Sequence, residues 1–110
     1  MQAWEYGDVL ADHGRAGRLY HEFLRVPDLS AGIYVLEAGG TDPQSPHTED
    51  ELYYVIAGRS MVTVGDETRP VVPGTLVFVA ATVPHAFHDI AERLELLVFF
   101  GPAEGDRAGG

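Results

Sequence analysis

The sequence predicts a single all-β domain in which short antiparallel strands form a sandwich or a barrel. Runs rich in β-branched and aromatic residues are interrupted by glycine or proline roughly every eight to twelve residues, which is typical of such folds. No segment combines ten or more residues of helical periodicity with helix caps. A chain of 110 residues is also the usual size of one domain with one core.

The first part of the chain predicts an extension followed by two strands. Residues 1–16 have no clear element, and we treat them as an N-terminal extension. Their apolar side chains have no evident place in so small a core, so we expect them to help form a homodimer; these are Trp4, Tyr6, Val9 and Leu10. Strands are predicted at 19–26, which Pro27 and Asp28 end, and at 31–38.

The second part predicts a loop and then a series of strands. Two prolines exclude a helix from the loop at 39–46. Strands are expected at 51–57, 59–64, 68–72, 75–80, 84–90 and 93–100, with Gly58 at the corner between the first two. The run 75–80 is almost wholly apolar, which predicts burial on both faces.

The ends of the chain complete the predicted domain organisation. The strand at 93–100 is apolar on both faces, and the sheet of a second copy would cover the second face. Residues 101–110 are predicted to be a disordered tail. The sequence therefore divides into the extension at 1–16, a barrel at 17–100 and the tail.

Composition excludes several classes of function. The net charge is −10, from 7 Lys+Arg against 17 Asp+Glu, so nucleic acid and anionic membranes are poor partners. No cysteine is present, which removes disulfides, thiolate metal sites and cysteine nucleophiles. No apolar run is long enough for a transmembrane helix, and the N-terminus lacks signal-peptide features, so we expect a cytoplasmic protein.

Histidines and carboxylates cluster where a metal site is chemically reasonable. The five residues from His47 to Glu51 contain one imidazole and three carboxylates, and His85 follows a later glycine-led strand. Two histidines and a carboxylate from separate strands can hold one divalent metal ion. Glu49 shares strand parity with His47 and Glu51 and is an alternative ligand. His88 lies on the opposite face of its strand from His85, and His13 and His21 are expected at the surface.

These segments resemble the two motifs of the cupins, which are small double-sheet jelly rolls. The first motif reads G-x5-H-x-H-x3,4-E-x6-G. Glu51 and Gly58 match its end, His47 holds the place of its second histidine, and Ser45 replaces the first. The second motif reads G-x5-P-x-G-x2-H-x3-N. Gly74 and His85 match it, whereas its proline, second glycine and asparagine are replaced by other residues: Ala80, Thr82 and Asp89.

The resemblance implies a double-stranded β-helix with one metal ion in its pocket. Carried over to this chain, the ligands are His47, Glu51 and His85, with Ser45 where a fourth ligand would stand. Two histidines and a carboxylate suit Fe, Mn, Ni or Zn and leave coordination positions open. The candidate pocket wall comprises Ser45, Tyr53, Val55 and Phe87.

This site predicts a metal-dependent enzyme acting on a small organic molecule. Dioxygenase-like chemistry and a redox-neutral isomerase, cyclase or lyase are both compatible with the ligand set, and no catalytic residue is identified. The alternative is a non-catalytic cupin that binds a small metabolite or a metal, because the fold hosts both kinds of protein.

Overall fold

The structure, a computed structural model, describes residues 1–43 and 46–105 of the chain. These residues form one α-helix and six β-strands. In chain order the elements are α1 (Tyr6–Ala16), β1 (Tyr20–Val26), β2 (Leu29–Leu36), β3 (Asp50–Val64), β4 (Glu67–Val71), β5 (Leu76–Val79) and β6 (His85–Gly101). All strand pairs are antiparallel, in the order β1-β2-β6-β3-β4, and β5 also pairs with β3.

Two long strands, β3 and β6, form the central ladder of the fold. Their pairing runs from Asp50 opposite Gly101 to Val64 opposite His85, with register irregularities between Val55 and Met61. The strands predicted at 51–57 and 59–64 are therefore one bent strand, as are those predicted at 84–90 and 93–100. Every predicted strand is present, with ends shifted by a few residues.

Gly58 makes the bend in β3 possible. Its φ angle is 97°, in the left-handed region that side chains with a Cβ rarely adopt. A Cβ at this position would lie 2.2 Å from the carbonyl oxygen of Arg93 on β6. The backbones thus approach so closely that only glycine fits, which explains the corner that the sequence predicts here.

The ladder closes on itself, which brings distant residues together. Glu51 pairs with Phe100 and Val79, whereas His85 pairs with Val64, thirteen residues further along β3. A straight strand would separate these positions by about 40 Å. Oε1 of Glu51 nevertheless lies 3.0 Å from Nε2 of His85, so the sheet curls into a barrel.

The interior of the barrel is the main hydrophobic core. Its fully buried side chains come from five strands and are packed without a break; the largest are Tyr53, Phe87, Phe100, Leu36, Leu94 and Leu96. The aromatic rings of Tyr53 and Phe87 meet edge to face, with centroids 5.0 Å apart.

The N-terminal helix corrects the prediction that the chain contains none. α1 has eleven residues, begins after Glu5 without a side-chain cap and ends at Gly17 in the left-handed conformation. Val9 of this helix is buried against Ile33 and Val35 on the outer face of β2, forming a second small cluster. No described helix is long and apolar enough to cross a membrane.

The structure changes part of what the sequence predicted for the N-terminal extension and the last strand. Val9 is buried within its own chain, whereas Trp4 is 45% exposed. Leu97 on the outer face of β6 packs in the same cluster as α1, so the chain itself covers part of that second face. His13 is buried and lies 2.7 Å from the carbonyl oxygen of Leu19, so its predicted place at the surface is wrong.

Two other predictions are corrected. The strand predicted at 75–80 is buried on one face only, because Leu76 and Phe78 are about 60% exposed. The predicted tail is ordered as far as residue 105, since Gly101 belongs to β6 and Ala103 is fully buried. The rest of the tail, 106–110, and the loop residues Gln44 and Ser45 lie outside the described residues.

Candidate metal centre

The three predicted metal ligands meet at one end of the barrel. His47 lies in the loop before β3, Glu51 is the second residue of β3, and His85 is the first residue of β6. One potential ligand atom from each lies within 4.8 Å of the other two. Glu51 and His85 are buried, and His47 is partly exposed.

The geometry of Glu51 and His85 fits a bound cation. Nδ1 of His85 lies 2.9 Å from the carbonyl oxygen of Val83, which can only accept, so Nδ1 carries a proton. The other nitrogen, Nε2, faces Oε1 of Glu51 at 3.0 Å. The alignment does not make a hydrogen bond, and Oε1 is a buried oxygen without a hydrogen-bond partner among the described residues. Oε1 of Glu51 and the unprotonated Nε2 of His85 can both serve as ligand atoms, and a metal ion bound by them would satisfy Oε1.

The surroundings of His85 also favour positive charge. Burial lowers the pKa of His85, but the Glu51 carboxylate and the Val83 carbonyl raise it, and its net pKa lies above the ordinary value for histidine. The carbonyl that holds Nδ1 is the kind of outer partner that orients metal-binding histidines. The hydroxyl of Tyr53 lies 3.1 Å from Nε2 and adds a polar contact at the same point.

His47 is the third member of the group. Its ring meets Phe100 edge to face with centroids 4.8 Å apart, and its centroid is 5.8 Å from that of His85. Nδ1 of His47 lies 3.4 Å from Oε2 of Glu104. Burial raises the pKa of the Glu104 carboxyl, which His47 partly offsets.

Backbone contacts hold the two ligand loops side by side. The amide of Thr82 donates to the carbonyl oxygen of His47 at 2.7 Å, and the amide of Ala81 donates to Asp50 at 2.8 Å. Thr82 has a φ angle of 67°, which is strained for a β-branched residue. Thr82 occupies the place of the second glycine of the second motif, so the left-handed backbone explains why glycine suits that position.

A cavity of about 80 Å³ adjoins two of the three candidate ligands, His47 and Glu51. It is lined by three tyrosines, two carboxylates, one histidine and two apolar side chains: Tyr20, Tyr34, Tyr53, Glu51, Glu104, His47, Val98 and Phe100. The hydroxyl of Tyr34 donates to Asp42 at 2.5 Å, and Asp42 also accepts from the amide of Phe87 at 2.9 Å. This network fixes the first part of the loop that leads to His47.

The segment 102–105, which we call the C-terminal strap, forms one side of the cavity. The amide of Glu104 donates to Oγ of Ser30 at 2.8 Å, and its carbonyl oxygen accepts from Arg25 at 2.6 Å. The amide of Gly105 donates to Oε1 of Glu49 at 2.8 Å. These bonds place the side chain of Glu104 beside His47.

The structure brings together some of the predicted site residues and separates others. His47, Glu51 and His85 form a group with metal-binding spacing, and Tyr53 lines the cavity. Glu49 is not in the group, because its carboxylate accepts hydrogen bonds from Thr48 and Gly105. Val55 and Phe87 belong to the packed core rather than to the cavity wall, and Ser45 lies outside the described residues.

Five residues that line the cavity were not predicted from the sequence: Tyr20, Tyr34, Val98, Phe100 and Glu104. Tyr20 and Tyr34 face each other in the β1–β2 pairing, so only the register of that pair shows that they share a face. Glu104 follows a Gly-Pro pair in a segment whose composition suggested disorder. Strand parity alone does not give this register, and no sequence signal was available for Glu104.

Comparison with known proteins assigns the family. The Cupin_2 family model, described as a cupin domain, matches residues 32–100, so the chain belongs to this cupin family and has its double-stranded β-helix fold. The uncharacterized protein SCO3923 of Streptomyces coelicolor is 44% identical over 104 residues, which cover 94% of this chain and 99% of that protein.

Solved structures share the fold at low sequence identity. TT1209 from Thermus thermophilus is 22% identical with a TM-score of 0.72, and the match covers 94% of this chain and 99% of that one. An RmlC-like cupin with a double-stranded β-helix fold from Methanocaldococcus jannaschii is 18% identical, with a TM-score of 0.72 and coverage of 83% and 84%. KdgF from a Halomonas species is 21% identical, with a TM-score of 0.68 and coverage of 76% of both chains.

Proposed function

We propose that this cupin is a metal-dependent enzyme that holds one divalent ion and acts on a small organic molecule. The ion is bound by His47, Glu51 and His85. The observation that carries the proposal is the buried Oε1 of Glu51, which has no hydrogen-bond partner among the described residues and faces Nε2 of His85 at 3.0 Å. A buried carboxylate oxygen without a hydrogen-bond partner is costly, and a metal ion bound by Oε1 and Nε2 would satisfy it.

In this proposal, one set of residues holds the metal ion and the adjoining cavity holds the substrate. Two imidazoles and one carboxylate suit Fe, Mn, Ni or Zn, which would supply dioxygen chemistry in the case of iron or Lewis-acid polarisation in the others. Val83 holds the tautomer of His85, and the Thr82 amide holds the loop of His47 beside it. The adjoining cavity binds the substrate, and dioxygenase-like chemistry is the leading reaction class.

A non-catalytic cupin that binds a small metabolite is the second candidate. The cavity is small, and the C-terminal strap places the Glu104 carboxylate 3.4 Å from His47, where it restricts access to the ion. Substrate turnover separates the two candidates, because a binding protein would retain metal and ligand without chemistry.

Metal content of the purified protein tests the proposed site. We expect one equivalent of a divalent metal in wild type, and at least tenfold weaker binding in His85→Ala and Glu51→Gln, because even outer partners of metal ligands are worth about 10–100-fold in affinity. His88→Ala is the matched control, since His88 lies on the same strand but contacts Thr63 and Asp89 instead.

Elemental analysis after growth with Fe, Mn, Ni and Zn, and zinc titration of the apoprotein, measure these affinities. Equal metal content in wild type, His85→Ala and His88→Ala would show that the site is wrong. Oxygen uptake over aromatic and thiol substrates then distinguishes the enzyme from the binding protein. Metal without turnover of any substrate favours the second candidate.

A further inference from the structure

The cavity contains a second unpartnered polar atom that the metal site does not explain. Among the described residues, two buried side-chain atoms lack a hydrogen-bond partner, the hydroxyl oxygen of Tyr20 and Oε1 of Glu51, and both residues line this cavity. A buried polar group without a hydrogen-bond partner destabilises the folded protein. The proposed metal ion would satisfy Oε1 of Glu51, so the Tyr20 hydroxyl indicates a second ligand in the same cavity.

The fold makes specific room for the Tyr20 hydroxyl. The tip of the Tyr20 ring lies over Gly32 of β2, where a Cβ would be 2.5 Å from the hydroxyl oxygen and 2.4 Å from the adjacent ring carbon. The ring also meets Tyr34 and Phe100 edge to face, so its direction is fixed. Burial raises the pKa of Tyr20, and the hydroxyl therefore stays a hydrogen-bond donor at neutral pH.

The hydroxyl groups of the other two cavity tyrosines already have polar partners. Tyr34 donates to Asp42, and Tyr53 lies against Nε2 of His85. Tyr20 is thus the tyrosine whose hydroxyl is available to a molecule in the cavity. A ligand that satisfies Tyr20 must therefore place an oxygen or nitrogen acceptor beside its hydroxyl.

Resting on the proposed function, we propose that Tyr20 is the specificity-determining residue of the cavity and that the ligand is a short-chain carboxylic acid carrying a second oxygen. One oxygen accepts from Tyr20 while another lies at the centre formed by His47, Glu51 and His85. The carbon chain packs on Val98 and Phe100. At about 10–15 Å³ for each water-sized group, a cavity of about 80 Å³ takes roughly five to eight non-hydrogen atoms.

A divalent ion also explains why an acid is acceptable in an acidic cavity. The two positive charges of the ion offset the negative charges of Glu51 and Glu104, so the occupied cavity no longer repels a carboxylate, which can bind the ion. Without the ion, Glu51 and Glu104 would repel it. Binding of the acid is therefore expected to depend on the metal, and discrimination among small acids on Tyr20.

The test compares Tyr20→Phe with Tyr34→Phe, which removes a hydroxyl from the same cavity. In the metal-free protein, Tyr20→Phe should raise the Tm by about 2–6 °C, because it deletes an unsatisfied buried hydroxyl. Tyr34→Phe should lower it by about 4–8 °C, because it leaves Asp42 without its hydroxyl donor. A purely structural role for the Tyr20 hydroxyl predicts a loss of Tm in both variants.

Ligand binding supplies the second readout. Pyruvate, oxalate and isobutyrate are titrated by calorimetry into zinc-loaded wild type and Tyr20→Phe. Isobutyrate matches pyruvate in size but carries a methyl group in place of the second oxygen. We expect pyruvate and oxalate to bind about three- to tenfold more weakly to Tyr20→Phe, at unchanged zinc content, and isobutyrate to bind weakly to both.

The outcomes separate this inference from the proposed function. Equal pyruvate and oxalate affinity in zinc-loaded wild type and Tyr20→Phe would overturn the role of Tyr20 and leave the metal site standing. A zinc-loaded wild type that binds neither acid would overturn the ligand class. A wild type that takes up no zinc would overturn the proposed function and the ligand class together. A fall in Tm of metal-free Tyr20→Phe would by itself overturn the functional assignment of its hydroxyl.

Discussion

The packed interior of the barrel and the cavity beside it are built from the same two long strands but satisfy their polar groups differently. In the packed interior, around Val62, Phe87 and Leu94, the buried polar side chain is Ser60, and its hydroxyl lies within hydrogen-bond distance of two carbonyl oxygens. At the cavity, two described buried polar atoms have no partner. These two unpartnered atoms are the groups that the proposed metal ion and ligand would satisfy.

The contrast extends to the backbone. The bend that joins the two regions uses glycine at a left-handed position, and the backbones there are in close contact. The loop that precedes His85 carries a left-handed threonine instead, Thr82, which is exposed. One position is required by the architecture, whereas the other retains strain that a different residue would relieve.

The largest expected loss of stability comes from a substitution at Gly58, in the bend of β3 that joins the two regions. Gly58→Ala places a Cβ 2.2 Å from the Arg93 carbonyl oxygen at a φ of 97°, so we expect a loss of about 3–5 kcal/mol in the free energy of unfolding. Gly74→Ala is the control, because Gly74 has a φ of 93° but no atom near its Cβ position, and should lose about 1–2 kcal/mol. Urea denaturation measures both, and equal losses would contradict the close approach as the cause.

The sequence predicted the strands well because each keeps its own pattern of apolar residues and turns. It also placed the corner at Gly58, because this glycine interrupts two strand-like runs. It missed α1 because Gly7 and Gly14 lower its helix propensity and Glu5 makes no side-chain cap, so the helix depends on packing by Val9. Such tertiary stabilisation leaves little local signal.

A smaller effect, a gain in stability, is expected from a substitution in the loop beside the cavity. Thr82→Gly removes the cost of a β-branched residue at a φ of 67°, and we expect a gain of about 0.5–1 kcal/mol after the larger backbone entropy of glycine in the unfolded chain. Zinc affinity should stay within about twofold, because the Thr82 amide that holds His47 is retained. Thermal denaturation and zinc titration test this, and a loss of stability would show that the Thr82 side chain has a structural role.

The candidate site was predictable in its three candidate ligands, whereas Tyr53 is the described wall residue that the sequence also predicted. His47, Glu51 and His85 follow motif spacing, which records how the loops and strands meet. Tyr20 and Glu104 reach the cavity through the β1–β2 register and the C-terminal strap, neither of which has a local sequence signature. Contacts that depend on strand register are set by the whole fold.

The smallest expected effect on stability lies outside both regions and concerns the homodimer, which stays a proposal. Of the N-terminal apolar residues expected to meet a second copy, Val9 is buried in its own chain, whereas Trp4 is 45% exposed and packs on Phe23 by one edge. Trp4 therefore still has a surface to offer a partner.

We expect Trp4→Ser to change the free energy of unfolding of the monomer by no more than about 0.5 kcal/mol, and to leave zinc affinity unchanged, because Trp4 contacts neither the packed interior nor the cavity. It should, however, convert a dimer into a monomer of about 12 kDa at micromolar concentration, as measured by light scattering. Val26→Ser is the control, since Val26 is equally exposed at 45% on β1 and should leave the dimer intact. A wild-type monomer would contradict the homodimer, and a dimeric Trp4→Ser variant would contradict the role of the N-terminal segment in forming it.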